Sequence, residues 1–104
     1  MNGKEKKFPT GVLVHETRSN LTIQFNDDGR YVVRVNDLVD ATGTYTIRGN
    51  QYTEDTDYPP CKNARTATYT WAFDGRNLTF QLVGEDDCTV RRRSLDGVTW
   101  VVQE

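Results

Sequence analysis

The chain has 104 residues and a mass of 11.9 kDa; 36% of its residues are hydrophobic, 11% aromatic and 27% charged. This size allows one domain with a modest core, which excludes a two-domain enzyme, an α/β barrel and a doubly wound nucleotide-binding fold. The net charge of −2 argues against nucleic-acid binding, which needs clustered basic residues. No apolar run can span a bilayer, so we expect no transmembrane segment.

The first seven residues are polar and charged. They predict a short N-terminal tail, residues 1–7, ahead of a single β-barrel domain over residues 8–104. No apolar stretch follows the tail that could serve as a secretory leader. Two locations stay open: the cytoplasm, or a secreted, periplasmic or lipid-anchored position with the leader absent from this sequence.

Alternating apolar and polar residues dominate the rest of the chain and predict β-strands. In chain order, the predicted strands cover residues 12–16, 21–25, 30–35, 44–48, 51–53, 67–73, 78–82, 88–93 and 98–102. Asp74-Gly75 between two alternating runs is a strong hairpin signal. The sequence therefore predicts an all-β fold, an antiparallel up-and-down meander of eight or nine short strands closing into a small barrel.

Two segments do not follow this alternation. Residues 36–41 could form a single helical turn around Leu38 and Val39. Residues 54–65 read as one long irregular loop, because Pro59 and Pro60 exclude a central strand there.

The two cysteines, Cys61 and Cys88, lie far apart and outside any CxxC motif. With the lone His15 they cannot complete a zinc site, so we expect no metal. A disulfide would close a loop of 28 residues and stabilise the fold by roughly 3.5 kcal/mol. It would favour a location outside the cytoplasm. The alternative is a pair of reduced, buried thiols in a cytoplasmic protein.

No arrangement of residues indicates catalysis. His15 is the single histidine and lies on a predicted strand, where a structural role is the more common one. Ser19 and Ser94 do not stand in a nucleophile motif. We therefore expect no catalytic residue, no cofactor and no enzyme activity.

The aromatic residues carry more information, because most occupy alternating strand positions. Seven are expected to share the buried side of the sheet: Tyr31, Tyr45, Tyr69, Trp71, Phe73, Phe80 and Trp100. A barrel of this strand number has room only for side chains or for one small ligand. The rings therefore either fill the core or line a cavity.

The arginine triplet at residues 91–93 is the second unusual feature. If it lies on a strand, Arg92 shares a face with Cys88 and Val90, which favours Arg92 as the inward residue. A buried arginine needs an anionic or aromatic partner. That partner is either an internal group or the acidic end of a bound ligand.

Several short segments together resemble the lipocalin-like (calycin) β-barrel domains, above all the small bacterial members that are often secreted or lipid-anchored. They are Phe8–Leu13, Gly43–Asn50, Cys61, Ala67–Gly75, Leu78–Phe80 and Asp86–Arg91. The resemblance implies an up-and-down barrel with a hydrophobic ligand in its mouth. It also places Arg91 where a late-strand arginine is expected. The chain departs from the Gly-x-Trp signature of true lipocalins, since Leu13 stands in place of the tryptophan.

The resulting hypothesis is non-catalytic binding of a small hydrophobic or amphipathic molecule inside the barrel. Tyr45, Tyr69, Trp71 and Phe80 would line the site, and Arg91 or Arg92 would anchor a polar end. The alternative is an interaction module with a filled core that acts through its loops, including the acidic residues 54–57. A homodimer that shares strands between chains stays open.

Overall fold

The computed structural model describes residues 7–58 and 65–103, and within them it contains eight strands and one short helix. In chain order these are β1 (Gly11–His15), β2 (Arg18–Phe25), β3 (Arg30–Val35), β4 (Leu38–Arg48), β5 (Gln51–Tyr58), β6 (Thr66–Phe73), β7 (Asn77–Val83), α1 (Thr89–Leu95) and β8 (Thr99–Val102).

Each of these strands pairs antiparallel with the next one, and β1 also pairs with β8. The sheet therefore closes into a barrel within a single chain, which removes the open edges of a flat sheet. This confirms the predicted all-β meander and its closure.

The strand alternation places one set of side chains inside the barrel. Opposite residues on neighbouring strands include Tyr52 with Tyr69 and Trp71 with Phe80. The buried apolar residues are Leu13, Leu21, Ile23, Phe25, Tyr31, Tyr52, Ala67, Tyr69, Leu78, Phe80, Leu95 and Trp100. Burial of this apolar and aromatic surface is the main stabilising contribution to the fold.

The helical turn predicted around Leu38 and Val39 is wrong. Asn36 and Asp37 have φ angles of 54° and 69°, and β4 begins at the next residue. Asn and Asp tolerate positive φ better than other non-glycine residues, which is why they form this two-residue hairpin turn.

The irregular loop predicted from residue 54 is also wrong in its first part, because β5 continues to Tyr58. Glu54 and Thr56 are buried on the inner side of this strand, so residues 54–57 are not an acidic surface loop. Pro59, Pro60 and Cys61 lie outside the described residues.

The strand predicted over residues 88–93 is in fact the start of α1. Arg91 and Leu95 stand four residues apart and are both buried, whereas Arg92 is exposed. This spacing places Arg91 and Leu95 on one face of a helix, against the barrel. Arg91, and not Arg92, is therefore the arginine whose side chain points inward.

Gly43 allows a close approach between β4 and the ring of Tyr31. A methyl group at position 43 would lie 2.6 Å from Cε2 of Tyr31 and would also collide with the carbonyl oxygen of Asp55. Glycine is therefore required for Tyr31 to reach across the barrel interior. No helix in residues 7–58 and 65–103 is long and apolar enough to cross a membrane.

Candidate functional site

The side chain of Phe8 lies among aromatic rings of the barrel, although Phe8 itself precedes the first strand. Within the described residues, five rings contact it, with these centroid distances: Phe25 4.9 Å, Trp71 5.2 Å, Tyr45 5.5 Å, Tyr52 5.5 Å and Phe80 6.3 Å. We call these five rings the aromatic cage.

Each member of the aromatic cage comes from a different strand. Phe25 ends β2, Tyr45 lies on β4, Tyr52 on β5, Trp71 on β6 and Phe80 on β7. All five occupy alternating positions whose side chains point inward, and closure of the barrel brings them together. Aromatic pairs at these separations attract one another beyond the effect of their buried area.

The segment that carries Phe8 is not part of the sheet. In the described part of the chain, no backbone hydrogen bond outside the strands involves residues 7–10. Pro9 is buried and has no backbone donor. Gly11, where β1 begins, has a φ of 102°, and a Cβ at this position would have no neighbouring atom within 4 Å. Ring contacts are therefore the main interactions that hold Phe8 in place.

The polar atoms of the cage are already bonded within the protein. The Tyr45 hydroxyl donates to the carbonyl oxygen of Asn26 at 2.7 Å, and Nε1 of Trp71 donates to the carbonyl oxygen of Gly49 at 3.0 Å. The Tyr52 hydroxyl donates to Oε1 of Glu54. The cage therefore presents carbon surface to whatever lies inside it.

A buried polar network lies behind Tyr52. Glu54 accepts hydrogen bonds from the hydroxyls of Tyr52 and Thr56, the latter at 3.2 Å. The hydroxyls of Tyr31 and Thr56 are 2.7 Å apart. In the described residues, no buried side-chain nitrogen or oxygen lacks a hydrogen-bond partner. The network thus satisfies the usual condition for polar groups inside a protein.

Arg91 connects this network to a second carboxylate, Asp86. Its Nη2 and Nε donate to the two oxygens of Asp86 at 2.7 Å and 2.9 Å. Its Nη1 donates to Oγ1 of Thr56 at 3.0 Å and to the carbonyl oxygen of Arg65 at 2.7 Å. Tyr69 also donates to Asp86. The internal carboxylate is therefore the anionic partner that a buried arginine requires.

The two buried carboxyl groups have shifted pKa values of opposite sign. Burial raises the pKa of Glu54 above its ordinary value, although hydrogen bonds from Tyr52 and Tyr31 act against this rise. Burial also opposes ionisation of Asp86, but hydrogen bonds from Arg91 and Tyr69 outweigh it and lower the pKa of Asp86. Asp86 is therefore the ionised partner of Arg91, whereas the buried surroundings of Glu54 disfavour its charged form.

The structure brings some of the predicted site residues together and separates others. Tyr45, Trp71 and Phe80 belong to the aromatic cage. Tyr69 does not contact Phe8 but bonds Asp86 instead. Arg91 is buried in the polar network, and Arg92 lies exposed on the helix surface.

The sequence analysis did not select Phe8, Phe25 or Tyr52 as site residues. Phe25 and Tyr52 each follow the alternation of a predicted strand, so their inward direction could have been read from the sequence. Phe8 carries no such signal, since Pro9 separates it from the first strand.

His15 takes part in local packing at the end of β1. Its ring lies edge-on to Trp100 with centroids 5.3 Å apart, and Nδ1 accepts a hydrogen bond from the backbone of Thr17 at 3.2 Å. Partial burial and the nearby Arg18 lower the pKa of His15.

The predicted Cys61–Cys88 disulfide involves Cys61, which lies outside the described residues. Cys88 directly precedes α1, and its backbone nitrogen donates to Oδ1 of Asp86 at 3.0 Å. No cysteine in the described ranges is free. The pairing itself stays a prediction.

Comparisons with known proteins identify no relative. No protein-family model, curated protein or solved structure matches this chain. Any assignment of function therefore depends on the residues described above.

Proposed function

We propose that this protein is a lipocalin-like barrel that binds one small hydrophobic or amphipathic molecule without transforming it. The binding site is the aromatic cage, in the position that the ring of Phe8 occupies. The observation behind this proposal is that Phe8 enters the cage from outside the strands, held there by five ring contacts.

The cage suits a ligand about as large as one six-membered ring. Each square ångström of apolar ligand surface removed from water contributes roughly 25 cal/mol. A ligand in this position gains the same ring contacts that Phe8 makes. It replaces an intramolecular contact that no sheet hydrogen bond reinforces. Phe8 therefore competes with the ligand, and the ligand also loses its translational freedom on binding.

Arg91 enters this proposal as a support for the site. Its donors bind Asp86, Thr56 and the carbonyl oxygen of Arg65. Through Thr56 and Glu54 this network positions Tyr52, which forms part of the cage. The polar end of an amphipathic ligand would then point outward, toward the mouth from which Phe8 enters.

Replacement of Phe8 tests the proposal. Phe8→Ala vacates the cage, so toluene should bind this variant at least about tenfold more tightly than the wild type, which amounts to about 1.4 kcal/mol. Chemical-shift changes of the cage rings, followed by NMR during the titration, measure this affinity.

Phe73→Ala is the matched control, because it also removes a half-buried phenyl group but one that does not contact Phe8. This variant should bind toluene no better than the wild type. A folded Phe8→Ala protein that binds no toluene would overturn the proposal.

A second candidate function is that of an interaction module with a filled core. It is favoured by two large apolar residues of the β3–β4 hairpin that face solvent, Leu38 at 73% and Val39 at 53% exposure. Contiguous apolar surface that faces solvent often marks a contact site for another protein. Failure of the toluene experiment would leave this function as the better one.

A further inference from the structure

We propose that the ligand of the aromatic cage is an organic cation with a methylated ammonium head group. This inference rests on the binding function proposed above and goes beyond it by naming the chemical class. The observations behind it are the number of rings around one point and the charge balance of the polar network behind them.

The distances between the rings match what an ammonium group requires. A cation is attracted to an aromatic ring when it lies over the ring face, within about 6 Å of the centroid. At the centre of the Phe8 ring, four centroids satisfy this distance: Phe25 at 4.9 Å, Trp71 at 5.2 Å, and Tyr45 and Tyr52 at 5.5 Å each. Clusters of several rings around one point are the usual binding sites of quaternary ammonium groups.

The polar network behind the cage carries an excess of carboxylates. Among its described members, Glu54 and Asp86 are acidic and Arg91 is basic. Asp86 binds Arg91 through both oxygens, which leaves Glu54 without a cation in salt-bridge contact among the described residues. A positive ligand in the cage would provide a countercharge on the far side of the Tyr52 ring.

Hydrogen bonding also favours a cation at the two tyrosine rings. Tyr52 donates its hydroxyl proton to Glu54, and Tyr45 donates to the carbonyl oxygen of Asn26. A phenol that donates a hydrogen bond gains electron density on its ring, and the negative face of the ring is what attracts a cation.

The exposed charges near the mouth of the cage do not determine the sign of the ligand. Lys7 is next to Phe8 in the chain, and Asp27 and Asp28 interact electrostatically with Tyr45, so both signs are present. Water and salt screen charges in such positions. Glu54 is buried and screened much less, so it is the group that selects a positive ligand once it has lost its proton.

Two molecules of the same shape test this inference, choline and its neutral carbon analogue 3,3-dimethyl-1-butanol. Both are titrated by NMR into the Phe8→Ala variant, whose cage is vacant. Choline should bind at least about tenfold more tightly than the alcohol, because the head group of choline is charged and that of the alcohol is neutral. Adding Glu54→Gln to this variant should reduce the ratio of choline affinity to alcohol affinity by at least about threefold.

The outcomes separate this inference from the proposed function. Equal affinities, or tighter binding of the alcohol, would overturn the cation inference while leaving a ligand site in place. The same holds for a preference that Glu54→Gln does not change. If toluene fails to bind a folded Phe8→Ala protein, the proposed function is wrong, and if choline and the alcohol also fail, the cation inference is wrong with it.

The same titrations can be made on the wild type if the Phe8→Ala variant does not fold. Both compounds must then displace the same ring, so the expected ratio of their affinities is unchanged. A ratio near one would again overturn the cation inference, and absence of binding by both compounds up to the solubility limit of the alcohol would overturn both proposals.

Discussion

At the scale of single residues, Arg91 is a fully charged side chain placed inside a barrel of aromatic rings. It is 6% exposed, and Asp86 is 5% exposed. Such a pair gains little over an apolar pair of the same shape, because both charges lose their hydration. Removal of one partner alone is far more harmful, since the other charge is then buried without compensation.

Arg91→Met should therefore lower the free energy of unfolding by roughly 3–5 kcal/mol, because it leaves the Asp86 carboxylate unpaired. Urea denaturation of both proteins measures the difference. Arg92→Met is the matched control on the adjacent, exposed residue and should change stability by no more than about 0.5 kcal/mol. Equal losses in the two variants would show that Arg91 is not the buried partner.

The buried carboxyl group of Glu54 makes the stability of the fold depend on pH. Its raised pKa means that the folded protein binds the proton more tightly than the unfolded chain does. As the pH rises from the ordinary glutamate value through the raised value, the folded state must give up this proton, and the free energy of unfolding falls. Asp86, whose pKa is lowered, acts in the opposite direction and loses its contribution only in acid.

Glu54→Gln isolates the effect of Glu54, because an amide of nearly the same shape does not titrate. Thermal unfolding of both proteins from about pH 4 to about pH 8 should show the wild type losing stability relative to the variant as the pH rises. A constant difference between the two proteins across this range would contradict the raised pKa.

At the scale of elements, the strands were predictable wherever side chains alternate regularly. The hairpin of β6 and β7 around Asp74-Gly75 follows directly from its sequence, and the partner pair of Trp71 and Phe80 confirms its register. The inner residues are large and apolar and the outer ones are mostly polar. Period-two alternation therefore determines which side chains of each strand point into the barrel.

Helix α1 and the end of β5 were not predictable, for one shared reason. Each places a charged residue at a core position, Arg91 in α1 and Glu54 in β5. The alternation of apolar and polar residues does not show which charged residues are buried, and in the segment of β5 the sequence pair Pro59-Pro60 added a separate signal for a loop. Only their partners, which come from distant parts of the chain, make burial of these charges acceptable.

The Cys61–Cys88 disulfide is a prediction at this same scale. Arg91 holds the carbonyl oxygen of Arg65 at 2.7 Å, so residue 65 is anchored beside the segment that contains Cys88. Four residues of chain reach at most about 14 Å, a span that is compatible with a bridge to this segment. Without the bridge, the protein should lose roughly 3.5 kcal/mol of stability.

Mass spectrometry after alkylation tests this bridge. Denatured but unreduced protein should take up no label, whereas reduced protein should take up two. Two labels without reductant would show free thiols and favour a cytoplasmic location.

At the scale of the whole molecule, the barrel and its inward rings could be predicted, but the centre of the site could not. Alternation identifies Tyr45, Trp71 and Phe80 as inward residues without showing that they meet around a single point. That point is marked by Phe8, whose place depends on five strands closing around it. This arrangement depends on how the strands close into a barrel, and a local sequence pattern does not contain that information.

The most direct test of the ligand site observes Phe8 itself. The wild-type sequence, with 4-fluorophenylalanine at position 8, is titrated with toluene and with choline while the fluorine resonance is recorded. We expect at least one of these molecules to shift the resonance from a buried value to that of a solvent-exposed ring, because ligand and Phe8 compete for the same space. A resonance that stays at its initial position with both molecules, each raised to its highest soluble concentration, would contradict the proposed site.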